Sequence, residues 1–212
     1  MPAVSTEGLS LKRADFGEAD RVLTVLTDRY GKISVIARGV RKITSRRAGN
    51  IELLNRVKLH LFKAKSYTLT EAESIETFKK IKENLILSTT AFHIIELVNR
   101  LVPEDQKNPQ IYNLTLTALT LLEKNPRQIF IRAFEVKLLN YLGFWSLREL
   151  PQANTETLEI LSKLEEGSFM EIAKIELSSE QAAILEQVLR NYLEKVLESS
   201  LKSASVLRDL KK

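Results

Sequence analysis

Near residue 78 the spacing of apolar residues changes from every second residue to every third or fourth, and no single type of secondary structure satisfies both patterns. Before the change, "LSLKRADF" (9–16), "RVLTVLTD" (21–28), "GKISVIARG" (31–39) and "VKLHLFKAKSYTLTEAES" (57–74) alternate apolar with polar residues and are rich in β-branched side chains. Within 57–63, Val57, Leu59 and Leu61 share one face, and Lys58, His60 and Phe62 share the other. Gly31 in "DRYG" offers the positive φ of a hairpin turn, and "KAKS" (63–66) supplies a second turn. That makes about five strands in about 75 residues, joined tightly except around 39–52. A small closed barrel is expected, since closure leaves no exposed strand edge.

After the change the spacing predicts helices. "SIETFKKIKENLILSTTAFHIIELVNRLV" (74–102) places Ile81, Leu85, Phe92, Ile95 and Val98 near one helical face, and Pro103 stops it. "NPQIYNLTLTALTLLEKN" (108–125) opens with Asn108 as N-cap and Pro109 in the first turn. "NPRQIFIRAFEVKLLNYLGF" (125–144) repeats the Asn-Pro opening and ends at Gly143, a good residue for leaving a helix. A short helix is expected over 155–167, and Ser178 with Gln181 matches a capping box for a last long helix, 179–200. The expected class is α+β, with a barrel domain at 1–78 and an all-α domain at 79–212.

The chemical inventory is thin. The chain has no cysteine and only two histidines, His60 and His93, so disulfides, thiolate zinc sites and cysteine nucleophiles are excluded. It holds no Walker-type loop, no GxSxG and no HExxH, so neither an enzyme nor a cofactor is expected. Asp15, Glu18 and Asp20 lie close together but fall in the connection between the first two strands, where an acidic turn is the simpler reading than a metal site. His93 sits in an apolar helix as a packing residue, and the cluster Leu138, Leu139, Leu142, Phe144 and Trp145 reads as core rather than as the wall of a peptide groove. No apolar run reaches the roughly 18–20 residues that span a bilayer. The N-terminus lacks the charged start and apolar middle of a signal peptide. A cytoplasmic protein is expected.

Charge is where the sequence becomes specific. Residues 1–80 hold 16 Lys+Arg against 9 Asp+Glu, net +7, and residues 81–212 hold 16 against 18, net −2. Between residues 29 and 47 there are seven basic residues and no acidic one: Arg29, Lys32, Arg38, Arg41, Lys42, Arg46 and Arg47. Only Val40 and Ile43 interrupt the densest part with large apolar side chains, so a solvated loop is expected there. Like charges at this density repel unless a polyanion neutralises them. Arg and Lys on a loop follow a phosphate backbone without reading bases. Lys58, Lys63 and Lys65 add positive charge on a neighbouring strand pair. A basic surface loop with no partner is the alternative. Base-stacking aromatics are weakly signalled, because Tyr30, Phe62 and Tyr67 each also suit strand packing.

"RADFGEADRVLTVLTDRYGKISVIARGVRK" (13–42) resembles the start of the RecO family of bacterial recombination mediators. The likeness is carried by Gly17-Glu18-Ala19-Asp20-Arg21, then Gly31-Lys32, then Ala37-Arg38-Gly39-Val40-Arg41-Lys42 with Ser45-Arg46 after it. "RAFEVKLLNYLGF" (132–144) is similar to the family's helical part at a looser level. The resemblance implies an OB-fold barrel followed by a helical domain. It implies binding of single- and double-stranded DNA and annealing of complementary strands. It also implies work with RecR, and often RecF, to load RecA on strands coated by single-strand-binding protein, whose C-terminal tail would dock on the helical domain. Cytoplasmic, nucleoid-associated location follows from the same likeness. Some members carry a four-cysteine zinc module after the "LGF" helix; this chain has only "WSLRELPQANTET" there, so no metal is expected. Arg38, Arg41, Lys42, Arg46 and Arg47 would then clamp phosphates, supported by Lys32, Arg29 and Lys58. A non-catalytic RNA-binding module or protein-interaction scaffold that reuses the barrel is the other class of function.

Overall fold

The structure is a computed structural model and describes residues 3–43, 45, 47–150 and 153–197. Five strands form a closed barrel in the order β1-β2-β3-β5-β4, with β1 Ala3–Phe16, β2 Asp20–Thr27, β3 Gly31–Ala37, β4 Arg56–Lys63 and β5 Tyr67–Glu76. All ladders are antiparallel except β3 with β5, which closes the barrel through Val35↔Tyr67 and Ile36↔Thr68. This is the five-stranded Greek-key arrangement of an OB fold. The barrel interior is filled by the apolar face of each strand, with Leu23, Val25, Ile33, Val35, Leu59 and Leu61 all buried. Each such side chain contributes about 1.5–3 kcal/mol by leaving water.

β1 is longer than its alternation indicates. Its first half pairs with β4 from Ala3↔Phe62 to Leu9↔Arg56, and its second half pairs with β2 from Gly8↔Thr27 to Phe16↔Asp20. A bulge between Ser10 and Lys12 lets one strand serve both sheets. The expected start at residue 9 misses Ala3–Gly8 because Ser5, Thr6 and Glu7 break the apolar alternation there.

Among the described residues seven α-helices follow: α1 Lys79–Lys82, α2 Leu85–Leu101, α3 Pro109–Lys124, α4 Gln128–Tyr141, α5 Thr155–Glu166, α6 Phe169–Ile172 and α7 Ser179–Leu197. Asn108 caps α3 by accepting from Ile111 N at 3.1 Å. Ser178 and Gln181 form the reciprocal box that starts α7, at 2.7 and 3.1 Å. Asn125 does not start α4: that helix opens at Arg127, whose guanidinium is spent on the carbonyls of Ala173 and Ile175. Leu85 and Phe92 are exposed, and Ala91, Ile94 and Leu97 take the buried positions on α2 instead.

Among the described residues the chain divides into two compact units, Met1–Glu83 with Ile95–Asn113 and Asn84–Ile94 with Leu114–Lys212. The second unit packs Phe130, Ala133 and Val136 of α4 against Leu161 and Leu164 of α5 and Leu185 and Leu189 of α7. Leu138 and Leu139 are core residues as expected, while Phe144 is half-exposed. No helix among the described residues is long and apolar enough to cross a membrane.

Candidate nucleic-acid interface

The long β3–β4 connection is not a free loop. Val40, Ile51 and Leu54 are buried, and Val40 and Ile51 belong to the barrel core. Gly39 N donates to Asp20 Oδ1 at 2.7 Å and Arg41 N donates to Ala19 O at 2.9 Å, so the loop is tied to the β1–β2 turn at its start. Asn50 Nδ2 donates to Ala72 O at 2.8 Å and ties it to β5 further on. The sequence hides this, because the anchors are single apolar residues whose partners lie far along the chain.

The basic residues of the loop and of the strands beside it take different roles. Arg38, Arg41 and Lys42 are exposed at the end of the barrel where the β1–β2 turn and the β3–β4 loop meet. Arg41 also bonds Gly17 O at 3.2 Å and lies 3.3 Å from Asp15 Oδ2, which fixes the direction of its guanidinium. Asp15 in turn accepts from Arg21 Nε at 2.9 Å, and this bond first, with Arg41 beside it, holds the Asp15 carboxyl below the usual carboxylate range. Asp15 and Asp20 are therefore committed to guanidinium and backbone partners. Among the described residues no carboxylate pairs with Arg38 or Lys42. Arg46 lies outside the described residues.

Arg47 does not point outward. Its guanidinium donates to Leu69 O at 3.1 Å, Thr70 O at 3.3 Å and Arg38 O at 2.8 Å, stapling the loop to β5. Bonds of this charged kind contribute about 1.5–3 kcal/mol each when buried and less when partly exposed. Replacing Arg47 with Lys should therefore cost about 1–2 kcal/mol, because one ammonium cannot reach three diverging carbonyls. Amide hydrogen exchange at Gly39 and Arg41 would quicken in that variant; unchanged exchange would show that the staple does not hold the loop.

Lys32 is turned inward as well. It is buried, donates from Nζ to Asn99 O at 2.7 Å, and has its pKa lowered by burial, against which the nearby Glu104 acts. An ammonium placed this way does not meet a phosphate at the surface. Lys58 is exposed on β4, but its cross-strand neighbours are Glu7 on β1 and Glu73 on β5, so its charge is locally offset. Arg29 is exposed in the β2–β3 turn, 3.6 Å from Asp28, at the opposite end of β3 from Arg38. Sequence spacing treats the seven cations as one run, whereas the seven-residue strand β3 separates its ends by about 20 Å.

Sequence reasoning missed two exposed apolar side chains at the loop end. Ile43 is fully exposed beside Lys42, and Phe16, at the end of β1, is 59% exposed. Phe16 lies between Asp15 and Gly17, both of which bond Arg41, so an aromatic ring and a fixed guanidinium share one rim. Of the aromatics considered for stacking, Tyr67 is buried, Tyr30 is partly buried against the core and Phe62 is 39% exposed on the outer face. No group of three or more His, Asp or Glu able to hold a metal is found among the described residues.

Residues 1–78 match the family model described as recombination protein O N terminal, and residues 82–145 match recombination protein O C terminal. The DNA repair protein RecO of Symbiobacterium thermophilum is 30% identical, with 100% of this chain and 99% of the relative aligned. That of Dehalococcoides mccartyi is 29% identical over 97% of this chain and 95% of its own length. That of Heliobacterium modesticaldum is 37% identical over 65% of this chain and 50% of the relative.

Proposed function

The chain belongs to the RecO family of DNA repair proteins, and on that footing we propose that it binds single- and double-stranded DNA through the rim formed by Arg38, Arg41 and Lys42. The observation that carries this is the placement of three exposed cations on a loop pinned at both ends by buried residues and backbone hydrogen bonds. A pre-ordered cationic rim pays little ordering entropy when a phosphate backbone arrives. Contacts made to phosphates position the strand and carry little sequence preference.

Annealing of complementary strands follows from the same chemistry. Two phosphate backbones repel, and a protein that screens both lowers the free energy of bringing them together. No side chain needs to break a covalent bond, so the protein acts as a mediator and not as an enzyme. With RecR, and often RecF, it would help load RecA on DNA coated by single-strand-binding protein, the helical unit receiving the C-terminal tail of that protein.

The test is fluorescence anisotropy of a labelled single strand across a range of salt. The comparison is with a variant carrying Arg38→Ala, Arg41→Ala and Lys42→Ala while Arg47 is kept. Each phosphate contact contributes about 0.7 to the slope of log K against log salt on single strands, so the variant's slope should be smaller by about 2. A wild-type slope near zero, or equal binding by both proteins, would overturn the proposal.

A further inference from the structure

At the end of the barrel opposite the basic rim, a cavity of about 480 Å³ opens between the β2–β3 and β4–β5 turns. Arg29 and Tyr30 line it from the first turn, Lys63, Lys65 and Tyr67 from the second, and Lys107 from the segment before α3. Its volume is within the range of small-ligand sites, roughly 300–1,000 Å³. Arg29, Lys63, Lys65 and Lys107 are all exposed. Glu104 and Asp105 also line the cavity, but Glu104 acts on the buried Lys32 ammonium, so an excess of positive charge remains. The rings of Tyr30 and Tyr67 stand 5.9 Å apart between centroids. Lys63 Nζ sits 5.0 Å over the buried Tyr67, and Tyr30, only partly buried, is the more accessible of the two rings.

Cations around an aromatic wall match one chemical class, a phosphate joined to a flat heterocycle. We propose that this cavity takes one nucleotide of a bound single strand, with its phosphate among Arg29, Lys65 and Lys107 and its base against Tyr30. The inference rests on the proposed binding of single strands by the barrel. It adds a second anchor about 20 Å from the first, along β3. Two anchors on one strand would hold its bases spread over the β2–β3 face. The sequence signals Arg29, Tyr30 and the lysines of the β4–β5 turn. Lys107 joins them through the fold.

The experiment uses the full chain and a labelled twenty-residue thymidine strand, with an abasic strand of the same length beside it. Arg29→Ala, Lys65→Ala and Lys107→Ala together should weaken binding at least tenfold at physiological salt and lower the salt slope by up to about 2. Tyr30→Leu keeps an apolar side chain against the core and removes the ring. It should weaken binding to the thymidine strand about fivefold or more and leave the abasic strand unchanged. Steep wild-type binding with an unaltered triple variant overturns this site and leaves the loop rim standing. Equal losses on both strands in Tyr30→Leu overturn the base contact. Absence of any wild-type binding overturns the loop rim and this site together.

Discussion

Replacing Glu135 with Leu should destabilise the helical unit by about 3–5 kcal/mol at neutral pH, the cost of removing one partner from a buried ion pair. Glu135 on α4 is fully buried, with His93 Nε2 at 2.6 Å from one carboxylate oxygen and Arg132 at 2.8 Å from the other. Burial pushes its carboxyl up. Arg132 and the His93 hydrogen bond outweigh that and hold it below the usual carboxylate range, with Glu186 acting in the opposite direction. The variant removes the anion on which both bonds end. Trp145 is the only tryptophan. It packs 5.0 Å from Tyr192 and donates from Nε1 to Glu165 at 3.0 Å, so its fluorescence in urea reports this unit. Glu135→Leu combined with Arg132→Leu and His93→Leu should recover part of the loss, because apolar replacement of a whole buried charged cluster is often close to neutral. A loss below about 1 kcal/mol in the single variant would show that the carboxylate is not the keystone of this cluster.

The pH dependence has a definite sign. A carboxyl whose folded pKa is depressed stabilises the fold above its unfolded value, about 4.3, and that stability is lost as pH falls through the folded pKa. The wild-type helical unit should therefore weaken below about pH 4.5 more steeply than Glu135→Leu.

Local chemistry was legible in the sequence and long-range commitment was not. Asn108 and the Ser178–Gln181 box act within three residues of themselves, and both are found where spacing placed them. The strand count and the barrel follow from a period of two and short turns. Lys32 and Arg47 show the opposite case. Their charge reads like that of Arg38 and Lys42, but Lys32 bonds a carbonyl 67 residues away and Arg47 bonds one 22 residues away. A one-dimensional count of cations cannot separate a staple from a surface charge. Phe16 was overlooked for a related reason: an aromatic residue in an alternating strand reads as packing, whereas β1 is exposed on both faces from Lys12 to Phe16.

Gly31 joins both kinds of information, and Gly31→Ala should be the most damaging small substitution in the barrel. Its φ is +74°, as a tight turn between β2 and β3 requires. Thr27 Oγ1 donates to its carbonyl at 2.8 Å and accepts from Tyr30 N at 2.9 Å, which closes the turn. A left-handed conformation costs an L residue about 1–2 kcal/mol. The larger obstacle is steric. A Cβ at Gly31 would lie 2.5 Å from the carbonyl carbon of Gln106 and closer still to its oxygen, which are backbone atoms unable to rotate away. Displacing them adds about 1–3 kcal/mol, for a total of about 2–5 kcal/mol. Gly17 supplies the control: its φ is +58°, but nothing lies within 4 Å of its would-be Cβ. Gly17→Ala should cost only the conformational part, about 1–2 kcal/mol. Amide hydrogen exchange at Val25 and Ile33, both in the barrel core, reads each loss within the barrel. Equal losses in the two variants would mean that the approach of Gln106 yields without cost. A clear excess in Gly31→Ala would show that the turn is glycine for what packs on it as well as for its backbone angle.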